Sequence, residues 1–309
     1  MTLIKKSYEI EINSKIKCLL YGQVGLGKST MALSAIKPLL IDCDGGVHRV
    51  NIAHRSDVVQ VHSYNDILEV MKEDLSAYET IVIDTGGKLL DFMAVYIIGR
   101  NSKMGKSNGT LTLQGYGERK QEFAAFCKLV SRLNKHLIFV AHRETRTEGD
   151  DTRYVPQFGG SNYDALATEL DLVGYIEANG KQRTITFNGS SRNDGKNTCN
   201  LPDIINIPTV VDEKGNGLKN TFLQDVVIAP YLKRLEDDKK MNEKYNFVIA
   251  EIETAVAAVS CAEDANALID LKEDFEHVGA SRAVLAQKLS LKAKELGLKL
   301  NEEKRYVAA

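Results

Sequence analysis

Short apolar runs alternate with amphipathic segments through the first two thirds of the chain. Lys15–Tyr21 (KIKCLLY), Leu39–Asp42, Val58–His62, Thr80–Asp84 (TIVID) and His136–Ala141 (HLIFVA) are aliphatic or β-branched and end at Gly, Asp or His, the pattern of buried strands. Between them, Lys28–Ile36, Asp66–Asp74, Lys88–Ile98 and Arg119–Leu133 carry helical spacing, with Phe123, Phe126, Leu129, Val130 and Leu133 on one face of the last. Strands and helices in alternation predict a parallel sheet covered on both faces. Asp171–Ala178 and Lys181–Phe187 then flank Asn179-Gly180, a hairpin signal because both turn positions tolerate positive φ.

Two polar, glycine-rich stretches, Arg100–Gly117 and Arg143–Asn162, read as long loops of the kind that carry function. Asn188–Gly217 is a third irregular region. From about Lys233 the strand signals stop, and Glu243–Val259, Ala262–His277 and Ser281–Leu296 read as helices. Ser260 with Glu263 predicts a capping box for the second, Gly279 separates it from the third, and Gly297 is placed to end the last. The expected organisation is an α/β core over residues 1–232 and a small all-helical appendage over 233–309.

Composition narrows the function. In 309 residues, 43% are apolar and 27% charged, which excludes a disordered polyelectrolyte. A formal net charge of -2 excludes a uniformly basic coat, so any nucleic-acid site has to be a local patch. Cys18, Cys43, Cys127, Cys199 and Cys261 are odd in number and scattered, unlike a disulfide framework or a zinc site. The N-terminus lacks an apolar signal region and no apolar run approaches the ~20 residues of a membrane span, so a soluble, cytoplasmic protein is expected.

The chemistry is concentrated at one motif. Gly22-Gln23-Val24-Gly25-Leu26-Gly27-Lys28-Ser29, followed by Thr30, matches G-x-x-x-x-G-K-[ST] without a gap, between an apolar strand and a helix. Glycines let backbone N–H groups converge on phosphate oxygens, and the helix start directs its positive end at the same anion. Gly22 to Thr30 are therefore expected to hold a nucleotide, with Lys28 reaching the β- and γ-phosphates and Ser29 ligating Mg²⁺. No N-K-x-D guanine-reading element occurs, which favours ATP. Asp84, at the end of TIVID, is the expected outer or water-mediated Mg²⁺ carboxylate. Asp42 and Asp44 lie in LLIDCDGG, two residues apart and on one face if the strand persists. Asp44 is the preferred base for the attacking water, with Asp42 a structural strand-end acid, the alternative being that both merely cap the turn. His142 is the expected γ-phosphate sensor and Glu144 an alternative catalytic carboxylate.

GQVGLGKST, LLIDCDGG, TIVIDT and LIFVAHRE together resemble the RecA/DnaB-type P-loop ATPases in order and spacing, over roughly residues 15–210. The resemblance is greatest to phage-encoded RecA-like proteins, often labelled AAA-type ATPases, whose relatives include core-only recombinases and single-strand annealing proteins. It implies a mostly parallel central sheet flanked by helices, with a hairpin late in the core. It also implies that a carboxylate two residues past a strand-end Asp activates water; Asp44 stands there, where the family usually carries Glu. A basic finger reaching a neighbouring subunit would fall on Arg192 and Lys196, with Thr198 where a second basic residue is common.

In such folds the loops after the Asp84 unit and the His142 strand face DNA. Arg100, Lys103, Lys106, Arg119 and Lys120, against Glu118 alone, make the first stretch locally basic, and Tyr116 adds a ring. The second carries Arg143, Arg146, Arg153, Tyr154 and Phe158, diluted by Glu144, Glu148, Asp150 and Asp151. Basic groups with stacking rings suit sequence-tolerant single-strand binding. The expectation is a Mg²⁺-dependent ATPase that oligomerises on single-stranded DNA and promotes annealing in recombination, with a single-strand-binding or other recombination protein as a further partner and no membrane contact. The alternatives are a RecA-like translocation motor and a nucleotide-switched adaptor docking a protein through its helical tail. That tail is polarised: residues 249–276 hold eight acids and one lysine, residues 281–305 seven basic residues and three acids.

Overall fold

The computed structural model describes residues 14–148 and 151–308, so the N-terminal segment and the tip of the second polar stretch lie outside it. The described residues fall into two compact units, 14–231 and 232–308.

The first unit is built on a ten-stranded sheet: β1 (Lys17–Gly22), β2 (Pro38–Asp42), β3 (Val58–Gln60), β4 (Thr80–Asp84), β5 (His136–Glu148), β6 (Asp151–Pro156), β7 (Leu172–Asn179), β8 (Gln182–Thr186), β9 (Lys196–Asn197) and β10 (Ile205–Ile207). Its path is β10-β8-β7-β1-β5-β4-β2-β3, with β6 paired to β5 and β9 to β7. Neighbours from β7 through β3 run parallel, whereas β7–β8, β8–β10 and β5–β6 are antiparallel. This is the mostly parallel sheet with flanking helices that the alternation predicts. The helices are α1 (Lys28–Ala32), α2 (Tyr64–Val70), α3 (Gly86–Arg100), α4 (Leu113–Arg132) and α5 (Tyr163–Ala167). Leu19, Ile41, Ile81, Ile83 and Leu137 are buried with Leu89 and Met93 of α3 and Phe123 and Phe126 of α4 in one cluster. Within it the rings of Phe123, Phe139 and Phe158 meet at centroid distances of 5.4 to 5.5 Å.

Several elements depart from the sequence pattern for local reasons. α1 stops at Ala32 rather than Ile36 because the Ser34 hydroxyl donates to Met31 O and accepts from the N–H of Leu223, at 2.9 Å, so later chain occupies its end. The β7–β8 turn is Gly180-Lys181, since Asn179 pairs with Gln182, and Gly180 alone takes positive φ (60°). Arg143–Asn162 is not a loop: β5 runs on to Glu148 and returns as β6, with Arg143 opposite Pro156. Arg100–Gly117 is only partly one. Thr112 accepts the N–H of Gly115 at 3.1 Å and starts α4 at Leu113. Gly115 is there for space, because a Cβ would lie 2.4 Å from Met104 O.

The second unit holds most of α6 (Ala229–Ala257), with α7 (Ala262–Asp270) and α8 (Ser281–Glu295). Val248, Ile252, Val256, Leu268, Leu285, Leu289 and Tyr306 form its core. It is not all-helical: β11 (Leu298–Leu300) and β12 (Tyr306–Ala308) make an antiparallel hairpin after Gly297, whose φ of 69° ends α8. Tyr306 buries its ring in the helical core, which gives the hairpin a reason that alternation over three residues does not reveal. The cap of α7 also differs, since Ser260 Oγ donates to Asp264, at 2.7 Å, rather than engaging Glu263.

Candidate functional site

The glycines of the phosphate-loop motif serve different ends. Gly22 closes β1 opposite Ile176 of β7, and a Cβ there would stand 2.5 Å from Ile176 O, so strand packing requires it. Gly25 and Gly27 take φ of 84° and 79°, the left-handed region where L side chains are strained. They turn the chain into α1, whose first residue is Lys28. Lys28 is buried and its Nζ donates to Gln23 O at 2.8 Å. Burial lowers its pKa, with Asp84 opposing.

Sheet order brings the other groups to this loop. β5 stands between β1 and β4, with Val140 level with Asp84 and His142 level with Gly22. The C-terminal ends of parallel strands therefore converge where an open α/β sheet binds ligands. A cavity of about 260 Å³ results, lined by Val24, Gly25 and Gly27–Thr30 of the loop, Asp44, Gly46, Arg49 and Val50 after β2, Asp84 and Thr85 after β4, and Val140 and His142 of β5. Burial pushes the Asp84 carboxyl up to about 6, while the nearby Ser29 hydroxyl favours its ionised form; Asp44 and Asp42 push it further up and Lys28 pulls it down.

Asp42 and Asp44 do not share a face, because β2 ends at Asp42. Asp42 is buried and its carboxylate accepts from the N–H groups of Gly46 (3.0 Å) and Val47 (3.1 Å), which holds the turn. Asp44 is exposed and lines the cavity. Burial and Lys28 lower the pKa of His142, Asp44 opposing, and its Nδ1 is buried with no hydrogen-bond partner among the described residues. A second cavity of about 430 Å³ shares Asp44, Thr85 and His142 and adds Lys88, Arg119 and Glu144. Glu144 lines only this one, with its Oε1 3.5 Å from Arg146 Nε.

The residues named for DNA are dispersed. Lys103, Lys106 and Lys120 are exposed around the α3–α4 connection. Arg100 is 3.5 Å from Glu122 and lies over the ring of Tyr96. Arg119 is not on an exposed loop: it is 7% exposed within α4, lies over Tyr116 and donates to Gly159 O at 3.2 Å. Phe158 is fully buried against Phe123 and Phe139, so it is no stacking platform. Arg143 lies 4.1 Å over Tyr154, which stacks on Tyr175; Arg146 donates to Gly160 O and Arg153 to Asp194 at 2.7 Å. Of the two finger residues, Arg192 is exposed beside Glu177 and over Tyr154, but Lys196 is committed to Ala167 O and Thr168 O within its own chain.

Arg183 of β8 has no local sequence signal. Hairpin topology alone carries it to the phosphate loop, where Nη1 donates to Leu26 O at 3.2 Å.

The profile of a family described as an AAA domain matches residues 14–199, more than half of the chain. No curated protein matches it. Among solved structures, similarity is found to a KaiC-like protein of the hyperthermophilic archaeon Pyrococcus horikoshii OT3, at 11% identity over 55% of this chain and 77% of that one, with a TM-score of 0.35. It is also found to the ATPase domain of a second protein, at 12% identity over 67% of this chain and 86% of that one, with a TM-score of 0.39.

Proposed function

We propose that this chain, which belongs to the AAA-domain family, is a RecA/DnaB-type P-loop ATPase that hydrolyses ATP with Mg²⁺ and works as an oligomer on single-stranded DNA, promoting annealing or strand pairing in recombination. The observation that carries the hydrolytic part is the convergence of Lys28, Ser29, Asp44, Asp84 and His142 on one cavity beside the phosphate loop.

The donor set fits Mg²⁺, which takes few protein oxygens and completes its shell with phosphate and water. Ser29 would hold it directly and Asp84 through water, and no cluster of three or more metal-binding side chains occurs among the described residues. When bound, the ion neutralises charge on the phosphates. The chain's own groups do the rest. Lys28 turns from Gln23 O to the β- and γ-phosphates, and its burial strengthens that attraction. Asp44 takes the proton of the attacking water, favoured over Glu144 because it alone of the two lines the phosphate-loop cavity. His142, whose side chain lines the same cavity, is the residue placed to meet a γ-phosphate oxygen.

Exposed Lys103, Lys106 and Lys120 support a DNA face on the α3–α4 connection, with the β5–β6 hairpin and its Arg143, Arg146 and Arg153 as the second contact. Arg100 and Tyr116 are taken as part of that face, whereas Arg119 is packed over Tyr116 and bonded to Gly159 O and is left out of it. For the finger toward a neighbouring subunit, exposure favours Arg192 over Lys196.

The test is phosphate release with and without single-stranded DNA, beside a salt titration of DNA binding. Stimulation and steep salt dependence are expected; their absence refutes the DNA role. Lys28→Ala should abolish turnover, and undiminished hydrolysis would refute the phosphate site.

A further inference from the structure

The cavity of about 430 Å³ meets the phosphate-loop cavity at Asp44, Thr85 and His142 and is otherwise built chiefly from α3, α4 and the turn after β6. The start of α3 borders it: Thr85, Gly87 and Lys88 line it, the Thr85 hydroxyl accepts the N–H of Lys88 at 3.3 Å, and no acid occupies the first turn. The positive end of that helix is therefore not neutralised by its own side chains. A Cβ on Gly87 would lie 3.0 Å from Gln157 O, so the helix start packs directly on the turn. From α4, Arg119 lines the same space and is only 7% exposed. Its Nη2 donates to Gly159 O, the ring of Tyr116 covers the group at 4.9 Å, and Nε has no hydrogen-bond partner among the described residues. A buried cation with a donor unfilled is costly until an anion joins it.

We propose that this cavity is a binding site for inorganic phosphate, held by Arg119, Lys88 and the start of α3. The acids on its wall select the oxyanion. Asp91 lies 4.0 Å from Lys88 and Glu144 3.5 Å from Arg146, so each faces a cation. Asp44 stands on the wall shared with the phosphate loop. A fully ionised oxyanion meets only repulsion there. Phosphate near neutral pH keeps a proton, so it accepts from Arg119 and Lys88 while its hydroxyl donates to Asp44. Sulfate has no proton to give. The phosphate has two sources, the solution and a nucleotide cleaved in the adjoining cavity; the second rests on the phosphate-loop reading above.

Calorimetry at fixed ionic strength compares sodium phosphate with sodium sulfate on the nucleotide-free protein. Phosphate is expected to bind about ten-fold more tightly than sulfate, the discrimination given by one buried hydrogen bond. Lys28→Ala should keep that affinity. Arg119→Met should lower it about ten-fold, the loss of a charge-assisted hydrogen bond. Lys88→Met, at a half-exposed position where the fold does not depend on it, should lower it several-fold. Thermal melts of the same variants show that each is folded, and phosphate should raise the melting temperature of the wild-type protein but not of Arg119→Met. Equal affinity for phosphate and sulfate, unchanged affinity in both Arg119→Met and Lys88→Met, or a loss in Lys28→Ala alone overturns the site. For the source, quenched-flow cleavage of ATP is set beside phosphate release followed with a fluorescent sensor. Release that trails cleavage in the wild-type protein and not in Lys88→Met supports the site with cleaved phosphate as its ligand; simultaneous release with phosphate binding intact supports it with phosphate from solution. If ATP does not bind at all, the phosphate-loop reading fails and the phosphate titration still decides this site.

Discussion

Ser29, in the first turn of α1, and Asp84, at the end of β4, line one cavity although β5 stands between β1 and β4. Two residues far apart in sequence thus come together where Mg²⁺ would sit. The half-buried acid, the hydroxyl and Lys28 form a prearranged electrostatic set, and such sets need little reorganisation when charge develops.

Asp44→Asn is expected to leave nucleotide affinity within a few fold while lowering hydrolysis by about 10²–10⁴, the usual contribution of a positioned base. Glu144→Gln should retain most of the turnover. Single-turnover phosphate release, measured beside nucleotide binding, separates the two; the opposite pattern would make Glu144 the base.

His136 supplies a pH dependence unrelated to catalysis. It is fully buried, its Nδ1 accepts the N–H of Ile16 at 3.1 Å, and burial lowers its pKa to about 4, with Lys15 lowering it further and Glu79 opposing. In the unfolded chain the ring titrates near 6.5. Between those values the unfolded chain binds a proton that the folded chain refuses, so the stability is complete above pH ~6.5 and is lost as pH falls toward 4. The span corresponds to about 3 kcal/mol. Denaturant midpoints from pH 7 to pH 4 should show this limb in the wild-type protein and a flatter one in His136→Asn.

Gly22→Ala introduces a Cβ 2.5 Å from Ile176 O, between two central strands that cannot separate without breaking their ladder. A loss of about 1–3 kcal/mol is expected, as for overpacking elsewhere. Urea unfolding reads it directly, and Gly25→Ala, where no atom lies within 4 Å of the added Cβ, should show strain from its φ of 84° alone.

Lys103→Ala, Lys106→Ala and Lys120→Ala are each expected to weaken single-strand binding and to lower the slope of log affinity against log salt by about 0.7. Arg119→Ala should instead lower the melting temperature, since its guanidinium is packed over Tyr116 and bonded to Gly159 O. Fluorescence anisotropy at several salt concentrations, with thermal melts of the same variants, distinguishes the two effects.

What could be read in advance was what neighbouring residues encode together. The apolar strands, the phosphate loop and Asp84 are each set by a handful of adjacent residues and lie where those residues put them. The division between Asp42 and Asp44 was hidden because it turns on where β2 ends, and the N–H groups of Gly46 and Val47 decide that. The burial of Arg119 has no local signal because α4 starts at Leu113, before the helical spacing begins, and Gly115, which looks like a loop residue, is a contact residue in that helix. The polar strands of the β5–β6 hairpin lack the alternation of apolar residues that marks a half-buried strand. Arg183 and Asn220 reach the phosphate loop only through the β7–β8–β10 pairing and the chain that follows it, and no local pattern can report a neighbour brought from so far along the sequence.

β5 has one further property. It is a single strand from His136 to Glu148, with His142 near its middle and neither glycine nor proline along its length. At ~3.3 Å per residue the hairpin end lies roughly 20 Å beyond the imidazole. The imidazole on the phosphate-loop cavity and the backbone that pairs with β6 are therefore carried by one uninterrupted strand, so the position of the hairpin and that of His142 are fixed together.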